Sequence, residues 1–399
     1  MTSASQFHRA ALGVVGPELA ADLGTTTGFL GAANGAFFLA LLVCQIPVGL
    51  ALDRIGPRLT VAVLTLPAAL GALAQGLAPD AGWFLAARFL LGIGCAASFM
   101  ASVVLCARWH GGAGLTTALA QVFALSQAGI LLAGAPFAWT AEALGWRGAY
   151  LLSAGLTLAL GVLWWRWVRD DPPGTQAASR QPETLWQALH GQITVWRTPG
   201  LLPVLSMHVF GYACMATVLA VWAGPYLAEV HGLAPGPRGA VVLAMGLMLS
   251  AGLLGIGPLE RRLNSRKWLV AALATGVVLV LLALALWPRP PLAAAVGLLL
   301  LLCLLSCFPV VVVAQGRMLF PDHLVGRGAT TVNLAQTAGS AALPALTGWA
   351  VALAESNGAA GEAWPIAFAN LAAALALGLA GYLTGRDTPP RPGGRVALP

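Results

Sequence analysis

The sequence predicts an all-α integral membrane protein of twelve transmembrane helices, arranged as two pseudo-symmetric six-helix bundles. Three observations lead there: a composition that water cannot solvate, a train of apolar stretches of bilayer length, and a repeat relating the first half of the chain to the second. Of 399 residues, 58% are hydrophobic and 9% charged, against about 25% charged in soluble domains. The mean hydropathy is +0.81. A surface of that make-up suits lipid tails, provided every backbone polar group is satisfied within the protein. The short alternating segments of a transmembrane barrel are not seen in the sequence.

The apolar stretches cover 28–50, 60–78, 83–106, 116–140, 148–165, 201–223, 239–258, 268–287, 292–315, 329–354 and 365–384. Each is near or above the roughly 20 residues that a spanning helix needs. A first span must precede these eleven, yet Gln6–Ala21 offers sixteen residues, about 24 Å of helix against a core of about 30 Å. Either translation starts upstream of Met1, the reading adopted, or the first helix is short. Basic residues follow topology. With the first helix running inside to outside, sixteen of the 21 Lys+Arg fall on the cytoplasmic side, and Arg147, Arg238 and Arg289 on the other, leaving Arg9 and Arg88 within spans. The positive-inside rule selects the inner membrane with both termini cytoplasmic. This distribution, not nucleic-acid binding, accounts for the net charge of +7.

Asp170, Asp171, Pro172 and Pro173 open a polar linker, a composition that breaks helices. The expected organisation is an N-terminal bundle at 1–168, a cytoplasmic linker at 169–198 with an amphipathic stretch over 185–195, a C-terminal bundle at 199–385 and a tail at 386–399. The halves repeat. Gly114, Thr116, Thr117 and Gln121 open the fifth span as Gly328, Thr330, Thr331 and Gln336 open the eleventh, and Asp53, Arg54 and Arg58 are answered by Glu260, Arg261 and Arg266. Parallel repeats around a midplane site are a recurring transporter plan.

The loop after the second span reads Gly49-Leu-Ala-Leu-Asp53-Arg54-Ile-Gly56-Pro-Arg58. Gly56 permits a tight turn, and Asp53 stands at a helix end where it can pair with Arg or cap a neighbour. This resembles the G-x-x-x-D-R-x-G-x-R loop of the major facilitator superfamily. Arg88-Phe-Leu-Leu-Gly92-Ile-Gly94 is similar to that family's R-x-x-x-G-x-G segment. The resemblance implies a secondary transporter that alternates access, with Gly49, Asp53, Arg54, Gly56, Arg58, Glu260 and Arg261 forming a cytoplasmic gate.

Polar groups inside spans default to functional candidates. Phe7-His8-Arg9, with Pro17 beyond, resembles the first helix of anion-handling branches such as organophosphate–phosphate antiporters, where the equivalent Arg binds substrate. Arg9 either binds a carboxylate or phosphate or snorkels to the interface. The second Arg of a phosphate clamp is replaced by Ala216, which argues against an organophosphate. The candidate substrate-binding set is Arg9, Asn34, Gln127, His208, Asn333 and Gln336; Arg88 and His208 are candidates for coupling. No acidic residue sits firmly mid-span, which favours an anion over an organic cation as cargo.

Cys44, Cys95, Cys106, Cys214, Cys303 and Cys307 lie in or at the ends of spans and read as packing residues. Met207, His208, Cys214, Met215, Met245 and Met248 raise copper import as a rival, since soft ligands suit Cu(I), but their spacings do not share one face. H-E-x-x-H and G-x-x-x-x-G-K-[ST] patterns are not found, so neither a zinc enzyme nor a nucleotide-driven pump is expected. The reading is a monomeric carrier of a small organic anion, without cofactor, metal or nucleic-acid partner, with the bilayer around it and protons as a candidate coupling ion. The alternatives are an efflux carrier for amphiphilic compounds, a copper importer or a non-transporting sensor.

Overall fold

A computed structural model describes residues 1–26, 28–110, 113–172, 195–320, 325–357 and 363–388. The body of the expected linker, including nearly all of 185–195, and most of the tail lie outside these residues, as do the side chains of Asp53, Thr116, Thr117 and Thr330.

Helices account for nearly all of what is described: α1 Thr2–Asp22, α2 Gly28–Arg54, α3 Pro57–Gly76, α4 Ala81–Cys95, α5 Ser98–Trp109, α6 Ala113–Ala133 and α7 Ala135–Trp167. Then come α8 Leu201–Thr217, a wider π-type turn at Val218–Trp222, α9 Ala223–His231, α10 Pro235–Leu263, α11 Arg266–Leu286, α12 Leu292–Leu305, α13 Pro309–Met318, α14 Val325–Ser356 and α15 Ala363–Leu383. Ten stretches are long and apolar enough to cross a membrane. One of them, Leu125–Trp167, has 43 residues and breaks at Gly145, where φ is 70°; it serves as two spans. With α1, the described residues supply twelve membrane-length rods, and the chain is a multi-pass membrane protein.

Helix α1 is longer than its apolar stretch: 21 residues, about 31 Å at 1.5 Å each. Polar residues join it because tertiary partners satisfy them. The Thr2 hydroxyl donates to Ser98 O at 3.3 Å, and Ser3 Oγ donates to Leu125 O at 2.9 Å. Other ends follow local rules. Gly56 (φ 92°) turns the chain so that Pro57 can begin α3. Asp80 accepts from Trp83 N at 2.8 Å and starts α4; Ser265 accepts from Trp268 N at 3.2 Å and starts α11. The fourth and tenth rods both break midway, at Ala96–Ala97 and at Ser306–Phe308. At the second break, Ser306 Oγ donates back to Leu302 O at 2.7 Å, a bond that bends helices.

The helices form two compact units. Unit 1 comprises Met1–Leu185, Leu219–Leu243 and Pro344–Trp349, and unit 2 comprises Trp186–Val218, Ala244–Leu343 and Ala350–Pro399. Unit 1 therefore takes two segments from the second half of the sequence. Within it α3 packs on α4 and α7, and α1 on α6. Within unit 2, α15 packs on α8 and α11. Small residues permit the close approaches: a Cβ at Gly92 would strike Phe37 O of α2, and one at Gly94 would strike Ala68 of α3. Outward-facing positions carry large apolar side chains, with Leu254 82% and Leu286 81% exposed. That surface is stable in contact with lipid.

Candidate functional site

In unit 1 the deepest charge is Arg88 of α4, fully buried at 0% exposure. Its guanidinium fans across two helices. Nη1 donates to His8 O of α1 at 2.9 Å, and Nη2 donates to Asn34 Oδ1 of α2 at 3.1 Å. Nε reaches Ala33 O at 3.4 Å, and the Phe37 ring lies 5.0 Å from Cζ. The candidates Arg88 and Asn34 are thus brought into direct contact, and Asn34 keeps a buried amide nitrogen without a partner.

His8 adjoins this group. Its Nε2 is 2.9 Å from Thr157 Oγ1, while that hydroxyl donates its single hydrogen to Ser153 O at 2.7 Å. Thr157 must therefore accept, which puts the ring hydrogen of His8 on Nε2 and leaves Nδ1 unpartnered. Arg9, the next residue, is half-buried. Its Cζ sits 5.2 Å from the Phe38 ring centroid, and its Nε is buried without a hydrogen-bond partner. Ion pairs among the described residues join Arg108 to Asp171, Arg147 to Asp22, Arg238 to Glu18 and Arg266 to Glu260. Arg9 and Arg88 take part in none of these. Two cations of one bundle therefore lack a carboxylate, a field that favours an incoming anion. Gln127, on α6, is half-buried.

In unit 2, His208 of α8 is 1% exposed. The Gln336 amide of α14 is its side-chain neighbour, yet neither ring nitrogen completes a well-aligned hydrogen bond. Asn333, one turn before Gln336, is half-buried, and its carbonyl accepts from Thr337 Oγ1 at 2.9 Å. His208 and Gln336 are thus brought together. Among the described residues no group of three or more His, Cys, Asp or Glu could hold a metal ion.

The loop candidates have definite neighbours. Asp170, from the end of the sixth rod, accepts from Arg58 N at 2.7 Å, and its carboxylate occupies the space a Cβ at Gly56 would need. The Arg58 guanidinium donates to Trp165 O at 2.9 Å and stacks 5.8 Å from the Trp165 ring. Arg58 is therefore committed within unit 1, while Arg54 is exposed and nothing crowds Gly49. In unit 2, Glu260 pairs with Arg266 at 2.6 Å, and Arg261 is exposed. Asp387, from the end of the twelfth rod, accepts from Ser265 Oγ at 2.5 Å and from Lys267 N at 2.9 Å. Asp170 and Asp387 thus perform the same service in the two halves: each caps the start of its half's third helix. The sequence reading missed that, although the spacing from the last span's end to an Asp is similar in both halves.

It also missed Glu18, Glu142 and Arg238. Arg238 is 1% exposed, and its Nη2 donates to Glu18 Oε1 of α1. Glu142 accepts from Gly236 N at 2.5 Å. Separations of 220 positions for Glu18 and Arg238 and 94 for Glu142 and Gly236 carry no sequence signal for such pairings.

The sequence model of the Major Facilitator Superfamily matches residues 1–344. A putative tartrate transporter of Agrobacterium vitis is 23% identical, over 86% of this chain and 83% of its own length. A probable sulfoacetate transporter of Cupriavidus necator is 26% identical, over 62% and 59%. Some further matches to curated relatives span less than half of those proteins. Among solved structures, a bacterial homolog of the human lysosomal transporter Spinster superposes with a TM-score of 0.75 at 15% identity, over 96% of this chain and 92% of that one. Motifs, fold and profile agree, and the chain belongs to the Major Facilitator Superfamily.

Proposed function

We propose that this transporter is a secondary carrier that moves a small organic anion across the inner membrane by alternating access, and that Arg9 is the anion's first contact. The observation that carries this is the pair Arg9 and Arg88: two cations in one bundle, outside every ion pair among the described residues. Each nitrogen of Arg88 already donates, to Ala33, His8 and Asn34. Its role is to fix α1 and α2 and to orient Asn34, with the free Asn34 amide and the Arg9 guanidinium left as donors to cargo. Gln127 of α6 is a further candidate donor of unit 1, and His208, Asn333 and Gln336 are the candidate donors of unit 2. A donor-rich set of this kind suits a carboxylate, which accepts only. Relatives described as tartrate and sulfoacetate transporters support the same class.

At the cytoplasmic side, the anchored Gly56, Arg58 and Asp170 hold the loop in shape. Arg54 of this loop and Arg261 of the answering loop in unit 2 are each exposed, with Glu260 held by Arg266; Gly49 and Asp53 are the remaining residues assigned to gating.

The test is ligand-dependent thermal stability of the purified chain against dicarboxylates, sulfonates, phosphate, sugars, amphiphilic drugs and Cu(I). An anion at about 100 times its Kd adds about 2.7 kcal/mol to folding stability. The shift should vanish in Arg9→Gln. Stabilisation by drugs or copper alone, or an anion shift indifferent to Arg9→Gln, would overturn the assignment.

A further inference from the structure

Unit 1 closes on itself through a second set of contacts, away from Arg9 and Arg88. Segment 219–243 lies against α1 and the first part of α7 by backbone-to-backbone crossings. A Cβ at Gly13 would lie 2.7 Å from Ala220 O. One at Gly224 would strike Gly13 O, and one at Gly239 would strike Ala138. Segment 344–349 meets α2 likewise: Gly31 faces Pro344 O, and Gly348 faces Gly28 O. Each helix in these crossings satisfies its own backbone, so separating them breaks van der Waals contacts and few hydrogen bonds. The polar fastenings beside them are Arg238 to Glu18 and Glu142 to Gly236 N, at the first turn of α10. Arg238 Nε and Glu18 Oε2 are buried with no other partner.

We propose that the Glu18–Arg238 pair, helped by Glu142 at the start of α10, is the lock that holds these crossings shut, and that its release opens the carrier on the face opposite the Asp53–Arg58 loop. The inference rests on the alternating-access reading but not on the identity of the cargo. Its energetics are asymmetric. Without Glu18, Arg238 is an unpaired charge at 1% exposure, which disfavours the closed form. Without Arg238, Glu18 Oε2 is still buried, but the side chain as a whole is 39% exposed and the penalty is smaller. Glu18→Gln should therefore open the carrier more than Arg238→Gln.

The experiment labels a reporter cysteine, Val14→Cys, placed at the α1–α9 crossing where Val14 is 0% exposed. A membrane-impermeant maleimide is applied to whole cells from outside, with the parent chain as background. Labelling should rise on the order of tenfold in Glu18→Gln for a matching shift in the closed–open equilibrium, rise less in Arg238→Gln, and fall back in the Glu18→Arg/Arg238→Glu exchange. Size-exclusion profiles check that each variant is folded; should Glu18→Gln fail to fold, Arg238→Gln and the exchange carry the comparison. Unchanged labelling in the folded single variants, or an exchange as reactive as they are, overturns the lock. Labelling reads opening without cargo: a working lock with no anion-dependent stabilisation sinks only the cargo proposal, and the reverse result sinks only the lock.

Discussion

Arg88 and Arg9 sit near one another in α4 and α1, yet their surroundings assign them different work. Arg88 is a structural cation. Replacing it by Leu removes the bonds to His8 O and Asn34 Oδ1 and leaves Oδ1 without that donor in a buried site, where hydrogen bonds to a charged group are worth about 1.5–3 kcal/mol each. Arg88→Leu should lower the melting temperature and the folded yield sharply. Arg88→Lys should recover part of the loss, because an ammonium restores charge but not the planar fork. Arg9→Leu removes one ring contact and strands nothing. Its melting temperature without ligand should stay within a few degrees of the parent, while anion-dependent stabilisation disappears. Thermal melts of the three variants, with and without anion, separate the roles; equal losses in Arg9→Leu and Arg88→Leu would show that they do not differ.

Among the helices, packing and capping make distinct forecasts. Gly94 of α4 has Ala68 of α3 where a side chain would go, whereas Gly155 of α7 has open space. Gly94→Val should therefore destabilise by several kcal/mol through overpacking, and Gly155→Val should be close to neutral in the same melt. The caps at the starts of α3 and α11 act locally. Asp170→Ala and Asp387→Ala should each cost about 1 kcal/mol, with Asn substitutions retaining much of it. Hydrogen exchange should quicken at the first turn of α3 in one variant and of α11 in the other. Exchange unchanged at those turns would refute the capping role.

At the level of the molecule, the composition of unit 1 forbids an independent N-terminal half. Residues 219–243 and 344–349 cover Gly13, Gly28 and Gly31 and neutralise Glu18. A fragment of residues 1–185 expressed alone should aggregate in detergent. The same fragment expressed together with 186–399 should elute as one complex. A monodisperse 1–185 fragment would show that those second-half segments are dispensable.

Much of this was written in local patterns. Apolar run length and the scarcity of charge determined an all-helical membrane protein, since a bilayer core leaves few other ways to satisfy a backbone. The spacing Gly49, Asp53, Arg54, Gly56, Arg58 and the run Arg88-Phe-Leu-Leu-Gly92 named the family and marked Arg88 as special. Sequence alone also put Arg9 within a span, and it noticed that Ala216 stands where a second arginine would complete a phosphate clamp. Folding had to supply the partners. That Arg88 spends its fork on His8 and Asn34, that Asp170 and Asp387 cap third helices, and that Arg238 finds Glu18 are pairings across 54 to 220 positions. No periodicity encodes such distances, because hydrogen bonds and ion pairs depend on where helices cross, and the crossings are set by glycines whose neighbours are known once the chain is packed.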